Sequence, residues 1–217
     1  MMHEIPLFPL NTVLFPGMLL RLHIFEERYR VMIARCRQTG EPFGVALIQE
    51  GQEVGGPAEP HLVGCTAYIT QVETLADGRM NITVVGHERF QIHALKHDQP
   101  YLVGLIEGYP LAKPISEGVE DISQALRAWV RRYLQVLSQA SETPLDMQEL
   151  PSDWQKLAYL ASFLIQLPPA QKQDLLVINR AEELLNRLRT LYRREVTLLQ
   201  TMLVPHEEES IGPFSAN

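Results

Sequence analysis

The sequence is 217 residues long, enough for one sizeable domain or two small packed ones. Its 46% hydrophobic and 21% charged residues are those of a soluble globular chain. The formal net charge of −7 argues against nucleic-acid or anionic-membrane binding, which is driven by bulk positive charge.

The first predicted element, Glu4–Leu10, is apolar but carries Pro6 and Pro9. Proline cannot donate a ladder hydrogen bond, so an edge strand or a strand end is expected. Pro16–Gly17 signals a turn. Met18, Leu20 and Leu22 then alternate with Leu19, Arg21 and His23, the two-residue period of a half-buried strand. The period next becomes helical: Phe25, Tyr29, Ile33 and Cys36 fall on one face, and Thr39–Gly40 ends the helix. Phe43–Gln49 reads as a buried strand and Gly51–Pro60 as a loop, the segment of the first half expected to be most mobile. Val63–Leu75 and Arg79–Val85 flank Ala76–Asp77–Gly78, a hairpin signal. Glu88–Leu95 and Tyr101–Gly108 complete the set, which predicts a small closed or partly closed β-barrel.

Composition changes at Tyr109–Gly118, where Pro110, Pro114 and Gly118 punctuate the chain. From Val119 the apolar stripe Ile122, Leu126, Trp129, Val130, Tyr133 and Leu137 is helical, with Glu117, Glu120 and Asp121 placed to favour its N-terminus. Ser141–Pro151 reads as a polar connection. Ser152 with Gln155 has the spacing of a capping box before a helix that buries Leu157, Leu160, Ala161 and Leu164. Pro168–Pro169 ends that helix, and a short one follows around Gln171–Val177. Asn179 with Glu182 offers a second capping box for a long helix to Leu203. Leu184, Leu185, Leu188, Leu191, Tyr192, Leu199 and Met202 form its core face; Arg187, Arg189, Arg193 and Arg194 face water. Pro205–Asn217, with Glu207–Glu209, is expected to be a disordered tail.

The stretch IPLFPLNTVLFPGMLLRLHIFEERY at residues 5–29 resembles the start of the Lon N-terminal domain family, the substrate-recognition domain of ATP-dependent Lon proteases. Gly44–Ile48, Val63–Ala67, Asp77–Arg79, Val85–Phe90 and Pro100–Leu102 resemble successive family blocks, in order. The resemblance is good over 4–110 and looser beyond. It implies an α+β fold: an N-terminal PUA-like β pseudobarrel with one early helix over 1–112, then a C-terminal α-helical bundle over 116–204, with the tail at 205–217. It also implies recognition of unfolded or partner polypeptides, with a protease or chaperone acting in trans. A homodimer is the other use such apolar patches would have.

Catalytic patterns are missing. There is no G-x-x-x-x-G-K-[ST] loop and no G-x-S-x-G elbow, and none of Lys96, Lys113, Lys156 and Lys172 sits in a context resembling the Lon catalytic lysine. Cys36 and Cys65, without a CxxC, read as buried thiols of a reducing compartment. His87, His93 and His97 lack the further ligands and supporting shell that zinc requires. Glu26 and Glu27 head a helix, where capping and dipole interactions account for them. No cofactor is therefore expected, and the expectation is a protein that is not an enzyme. With no basic leader and no apolar run of about 18 residues, a cytoplasmic location and no membrane contact are expected. Phe15, Pro16, Met18, Leu20 and Tyr29 are the candidate polypeptide-binding residues, because a small barrel need not bury them all. The alternatives are a small-molecule site in the crevice between barrel and bundle, or an RNA-binding PUA-like protein.

Overall fold

The computed structural model describes residues 1–56, 58–114, 118–140 and 150–203. Strands β1 (His3–Leu10), β2 (Leu19–Ile24), β3 (Phe43–Gly51), β4 (Ala58–Pro60), β5 (Val63–Thr74), β6 (Met80–Lys96) and β7 (Val103–Gly108) make one mostly antiparallel seven-stranded sheet. Helix α1 (Glu27–Thr39) interrupts them early; α2 (Val119–Ala140), α3 (Trp154–Leu164), α4 (Pro169–Val177) and α5 (Ala181–Leu203) follow.

Strand β6 organises the sheet. It pairs with β5 along most of its length on one side, and on the other with β2 through Met80–Val85 and then β7 through Phe90–Lys96. The sequence reading divided this stretch at Gly86, but the strand runs straight through. A side chain at Gly86 would lie 2.3 Å from the Phe15 carbonyl oxygen, so the glycine permits a close backbone approach instead of marking a break.

β1 is not a sheet edge, the first of the two placements expected from its prolines; Pro6 instead stands where the β7 ladder ends, which fits the second. His3–Pro6 pairs antiparallel with β7, and Leu7–Leu10 pairs parallel with β3. Each half is registered with one neighbour, so neither proline has to serve two ladders. With β5 joined to β3, the pairings form a circuit through β1, β7, β6, β5, β3 and back to β1.

Helix α1 ends at Gly40, whose φ of 71° is the left-handed C-cap that glycine adopts without strain. Its inward face is Tyr29, Met32, Ile33 and Cys36; Phe25, placed on that face by the sequence pattern, precedes the helix and is exposed. Inside the β half, these residues pack with Phe8, Ile24, Phe43, Val45, Ile82 and Val84. The hairpin at Asp77–Gly78 is present: Gly78 takes the positive φ, while the Asp77 carboxylate accepts the Arg79 amide at 3.1 Å. The expected loop at 51–60 contains β4, which pairs with the end of β3.

A second core joins the helices to the sheet. Leu126, Val130 and Tyr133 of α2, Leu157 and Ala161 of α3, and Leu184, Leu185, Leu188 and Tyr192 of α5 cluster with Val13, Phe15, Leu47 and Val63. Each fully buried leucine contributes about 2 kcal/mol. Tyr133 and Tyr192 meet edge to face at 5.2 Å, and the Tyr192 hydroxyl donates to the Ala161 carbonyl at 2.8 Å. The arginines at 187, 189, 193 and 194 are exposed as expected, but so is Met202. The α3 cap is Asp153 and not Ser152: its carboxylate accepts the Lys156 amide at 2.8 Å. The expectations for Glu117, most of the 141–151 connection, the tail at 205–217 and Glu207–Glu209 lie outside the described residues.

Candidate binding crevice

Two reciprocal backbone bonds hold the lead turn against β6. Gly17 donates to the Gly86 carbonyl at 2.8 Å, and Gly86 donates to the Met18 carbonyl at 2.9 Å. Gly17 has a φ of 80°, as the Pro-Gly turn requires. This turn sets Pro16 and Met18 opposite the start of α3. Between them lies a crevice of about 530 Å³, lined by Pro16, Gly17, Met18, Pro151, Asp153, Gln155, Lys156, Tyr159 and Leu160. Its walls are mainly apolar, and the polar side chains come from one end of α3.

The five residues singled out in the sequence divide. Pro16 and Met18 line the crevice. Leu20 is half-buried against the interior of the β half. Phe15 and Tyr29 are buried, at 1% and 4% exposed. Tyr29 instead stacks on Phe8 with ring centroids 4.0 Å apart. The α3 wall, Gln155, Tyr159 and Leu160, was missed. Nothing local in the sequence links 155–160 to 16–18; only the tertiary fold brings them together.

Behind the crevice, Arg89 is 2% exposed and joins the sheet to α4. Its Nη1 donates to the Leu176 and Ile178 carbonyls at 2.7 and 2.6 Å, where the end of a helix carries partial negative charge. The guanidinium also lies 5.1 Å from the Tyr109 ring and 5.8 Å from the Tyr159 ring. The Tyr159 hydroxyl approaches it without a well-formed hydrogen bond, so Nε and Nη2 lack acceptors. Burial lowers the Arg89 pKa, with the two tyrosines opposing; burial raises that of Tyr159, with Arg89 opposing. Gln173, also buried, donates to the Val63 carbonyl at 2.9 Å.

The remaining candidates stay apart. Cys36 and Cys65 are free and buried, and burial pushes their thiols up to about 11 and about 12. Protonated, enclosed thiols are poor nucleophiles. His87 packs edge-on to Tyr68 at 5.3 Å, while the His93 Nε2 lies 3.3 Å from Glu107. No group of three or more metal-ligating side chains occurs among the described residues. Glu26 precedes α1 without a side-chain cap bond; its carboxylate accepts from Arg28 and from the Gly55 amide. No described helix is long and apolar enough to cross a membrane.

The family model described as the ATP-dependent protease La (LON) substrate-binding domain matches residues 4–194. The chain belongs to this family. It is 26% identical over 185 residues to a Lon protease of Flavobacterium johnsoniae, covering 83% of this chain and 22% of that one. Against Lon protease 2 of Herpetosiphon aurantiacus it is 28% identical over 203 residues, covering 91% and 24%. The chain thus spans about a quarter of the length of these Lon relatives. The crystal structure of a Lon N-terminal domain protein from Xanthomonas campestris shares the fold, with a TM-score of 0.63 and 24% identity over 87% of this chain and 98% of that one. The N-terminal domain of a Mycobacterium avium complex Lon protease aligns with a TM-score of 0.70 at 21% identity, covering 88% and 98%. The Lon match is to the substrate-binding domain; the catalytic modules form no part of it.

Proposed function

We propose that this chain is a non-catalytic polypeptide-recognition module, and that apolar segments of unfolded or partner proteins enter the crevice between the lead turn and α3. The observation that carries this is the crevice itself: about 530 Å³, walled by Pro16, Met18 and Leu160, in a domain whose family is described as substrate-binding. An apolar wall with a few polar groups at one end accepts hydrophobic side chains without demanding a sequence. On this reading the strand circuit is a PUA-like pseudobarrel over 1–112, the helices are a bundle over 116–204, and a protease or chaperone in the cytoplasm receives the bound protein in trans.

The test is fluorescence anisotropy with reduced, carboxymethylated α-lactalbumin, a permanently unfolded probe. Wild type should bind saturably. Leu160→Asp, at a half-buried crevice position, should bind at least ten-fold more weakly with an unchanged circular dichroism spectrum. Absence of saturable binding by the wild type would sink the reading. A small apolar ligand is the second reading that the crevice volume favours; it predicts thermal stabilisation by a small apolar compound and none by the unfolded probe.

A further inference from the structure

Arg89 is a buried cation without a counter-charge. Its side chain is 2% exposed, and among the described residues no carboxylate lies within ion-pair distance of it. The groups that act on it most are the Tyr159 and Tyr109 hydroxyls and the Cys65 thiol, all uncharged at neutral pH. The Leu176 and Ile178 carbonyls occupy only Nη1, so Nε and Nη2 stand without acceptors. The adjacent Glu88 does not answer the charge, for its side chain is 72% exposed beside His87. A guanidinium taken out of water is costly unless an anion or a full set of acceptors meets it.

Tyr159 connects this charge to the crevice. Its ring lies 5.8 Å from the guanidinium, and its hydroxyl sits beside both Arg89 and the Gln155 side chain. Tyr159 and Gln155 both line the crevice. The surrounding charge is positive as well. Asp153 is the one carboxylate among the described lining residues, and Lys156 lines the same crevice. Arg127 adds a second cation at the Pro151 end, donating to the Pro151 and Ser152 carbonyls at 2.9 Å. With Arg89 behind Tyr159, three cations stand around one acid.

We propose that the crevice takes the free C-terminus of a polypeptide that ends in an apolar residue. This rests on the polypeptide-recognition reading and specifies which part of a polypeptide enters. The terminal carboxylate accepts from the Tyr159 hydroxyl and the Gln155 amide, with Lys156 beside it and the Arg89 charge behind. The last side chain packs on Pro16, Met18 and Leu160. Leu160 follows Tyr159 directly, so the apolar wall and the hydroxyl stand side by side. A chain terminus matches that spacing, because its carboxylate and its last side chain leave the same carbon. A mid-chain glutamate instead carries its carboxylate at the end of its own methylenes, away from any apolar side chain. Capture of a terminal carboxylate by convergent donors is an established mode of peptide recognition, and charge-assisted bonds are its strong component. Arg89 does not touch the ligand; it is a positioning residue that acts through Tyr159.

The experiment uses a short fluorescent peptide of neutral residues ending in Leu-Leu, as the free acid and as the C-terminal amide. A third peptide is amidated and carries a glutamate before the last leucine. The free acid should bind wild type about ten-fold more tightly than either amide. Tyr159→Phe, which keeps the ring, should bring the acid-to-amide ratio close to one while leaving amide binding unchanged. Lys156→Gln should lower the ratio about three-fold. Arg89→Lys should retain part of the preference and Arg89→Met should lose it, each read where circular dichroism shows the variant folded; if Arg89→Met does not fold, Tyr159→Phe decides. If unfolded α-lactalbumin binds and Leu160→Asp weakens it, but acid and amide bind alike, the terminal carboxylate is wrong and the recognition reading survives. If neither the unfolded protein nor any peptide binds, both fall. Equal binding of the free acid and the glutamate-bearing amide would assign the site to acidic side chains and overturn the proposal, as would an undiminished acid preference in Tyr159→Phe.

Discussion

Arg89 donates a 2.7 Å hydrogen bond to the Leu176 carbonyl, joining β6 to the end of α4 across 87 positions of chain. The same nitrogen reaches Ile178, and Tyr109 and Tyr159 supply ring faces to the guanidinium. Removing the side chain leaves the buried Leu176 carbonyl and the part-buried Ile178 carbonyl without this donor, and a void beside Tyr159. Arg89→Ala should therefore lower the unfolding free energy by about 3 kcal/mol. Arg89→Lys should recover only part of this, because an ammonium cannot reproduce the planar contact with two rings. Urea titration followed by tryptophan fluorescence measures both. A loss under about 1 kcal/mol for the alanine variant would mean that the joint is held by the apolar core alone.

Gly86 is where the crevice meets the sheet. A methyl group there would stand 2.3 Å from the Phe15 carbonyl oxygen and 3.1 Å from Leu14, and the first contact is backbone that cannot rotate away. Gly86→Ala should cost about 2 kcal/mol through overpacking and push the Pro16–Met18 turn off β6. The second effect is the sharper one: binding of unfolded α-lactalbumin should fall even at temperatures where circular dichroism shows the variant folded. Native binding with native stability would show that the turn accommodates the methyl group by a shift the crevice tolerates.

How much of this was legible in the sequence depends on the range of the signal. The alternation of Leu20 and Leu22 with Arg21 and His23 reports a local period, and β2 has that phase. The left-handed Gly40 and the Asp77–Gly78 turn were equally local. Errors arose where pairing or packing decides. Pro6 and Pro9 suggested an edge or a strand end; the edge was wrong, because strand neighbours that change midway along β1 at the end of the β7 ladder made an interior position tolerable. Gly86 looked like a break because a close approach to Phe15 leaves no trace in the sequence near either residue. Phe15 and Tyr29 were chosen for exposure, but their burial follows from Phe8 and the helices, not from their own segment. The α3 wall of the crevice is non-local for the same reason.

The two thiols give the molecule a pH response. Burial raises Cys36 to about 11 and Cys65 to about 12 from an ordinary value of 9.0. Above pH 9 the unfolded chain loses thiol protons that the folded chain retains, so the unfolded state binds fewer protons and stability falls as pH rises. The contribution is fully present below about pH 9 and is lost progressively toward about pH 12. Cys65→Ala, compared with wild type in urea titrations at pH 7 and pH 10, should flatten this slope. Native protein at pH 8 should also react slowly with Ellman's reagent, both thiols becoming available only on unfolding. A fast native reaction would contradict the burial of these groups.

The start of α3 tests a choice between neighbouring residues. Ser152 has capping-box spacing to Gln155, but the Asp153 carboxylate takes the Lys156 amide at 2.8 Å. Asp153→Ala should destabilise the protein by about 1 kcal/mol, while Ser152→Ala should have little effect. Asp153 also lines the crevice, next to the Lys156 side chain. Removing its charge should therefore strengthen binding of a peptide whose acidic residue lies beside an apolar one, with little change for a neutral peptide of equal hydrophobicity. Urea titration and anisotropy on the same samples separate the two effects. A stability loss with Ser152→Ala and none with Asp153→Ala would reverse the cap assignment, and with it the placement of Asp153 at the crevice rim.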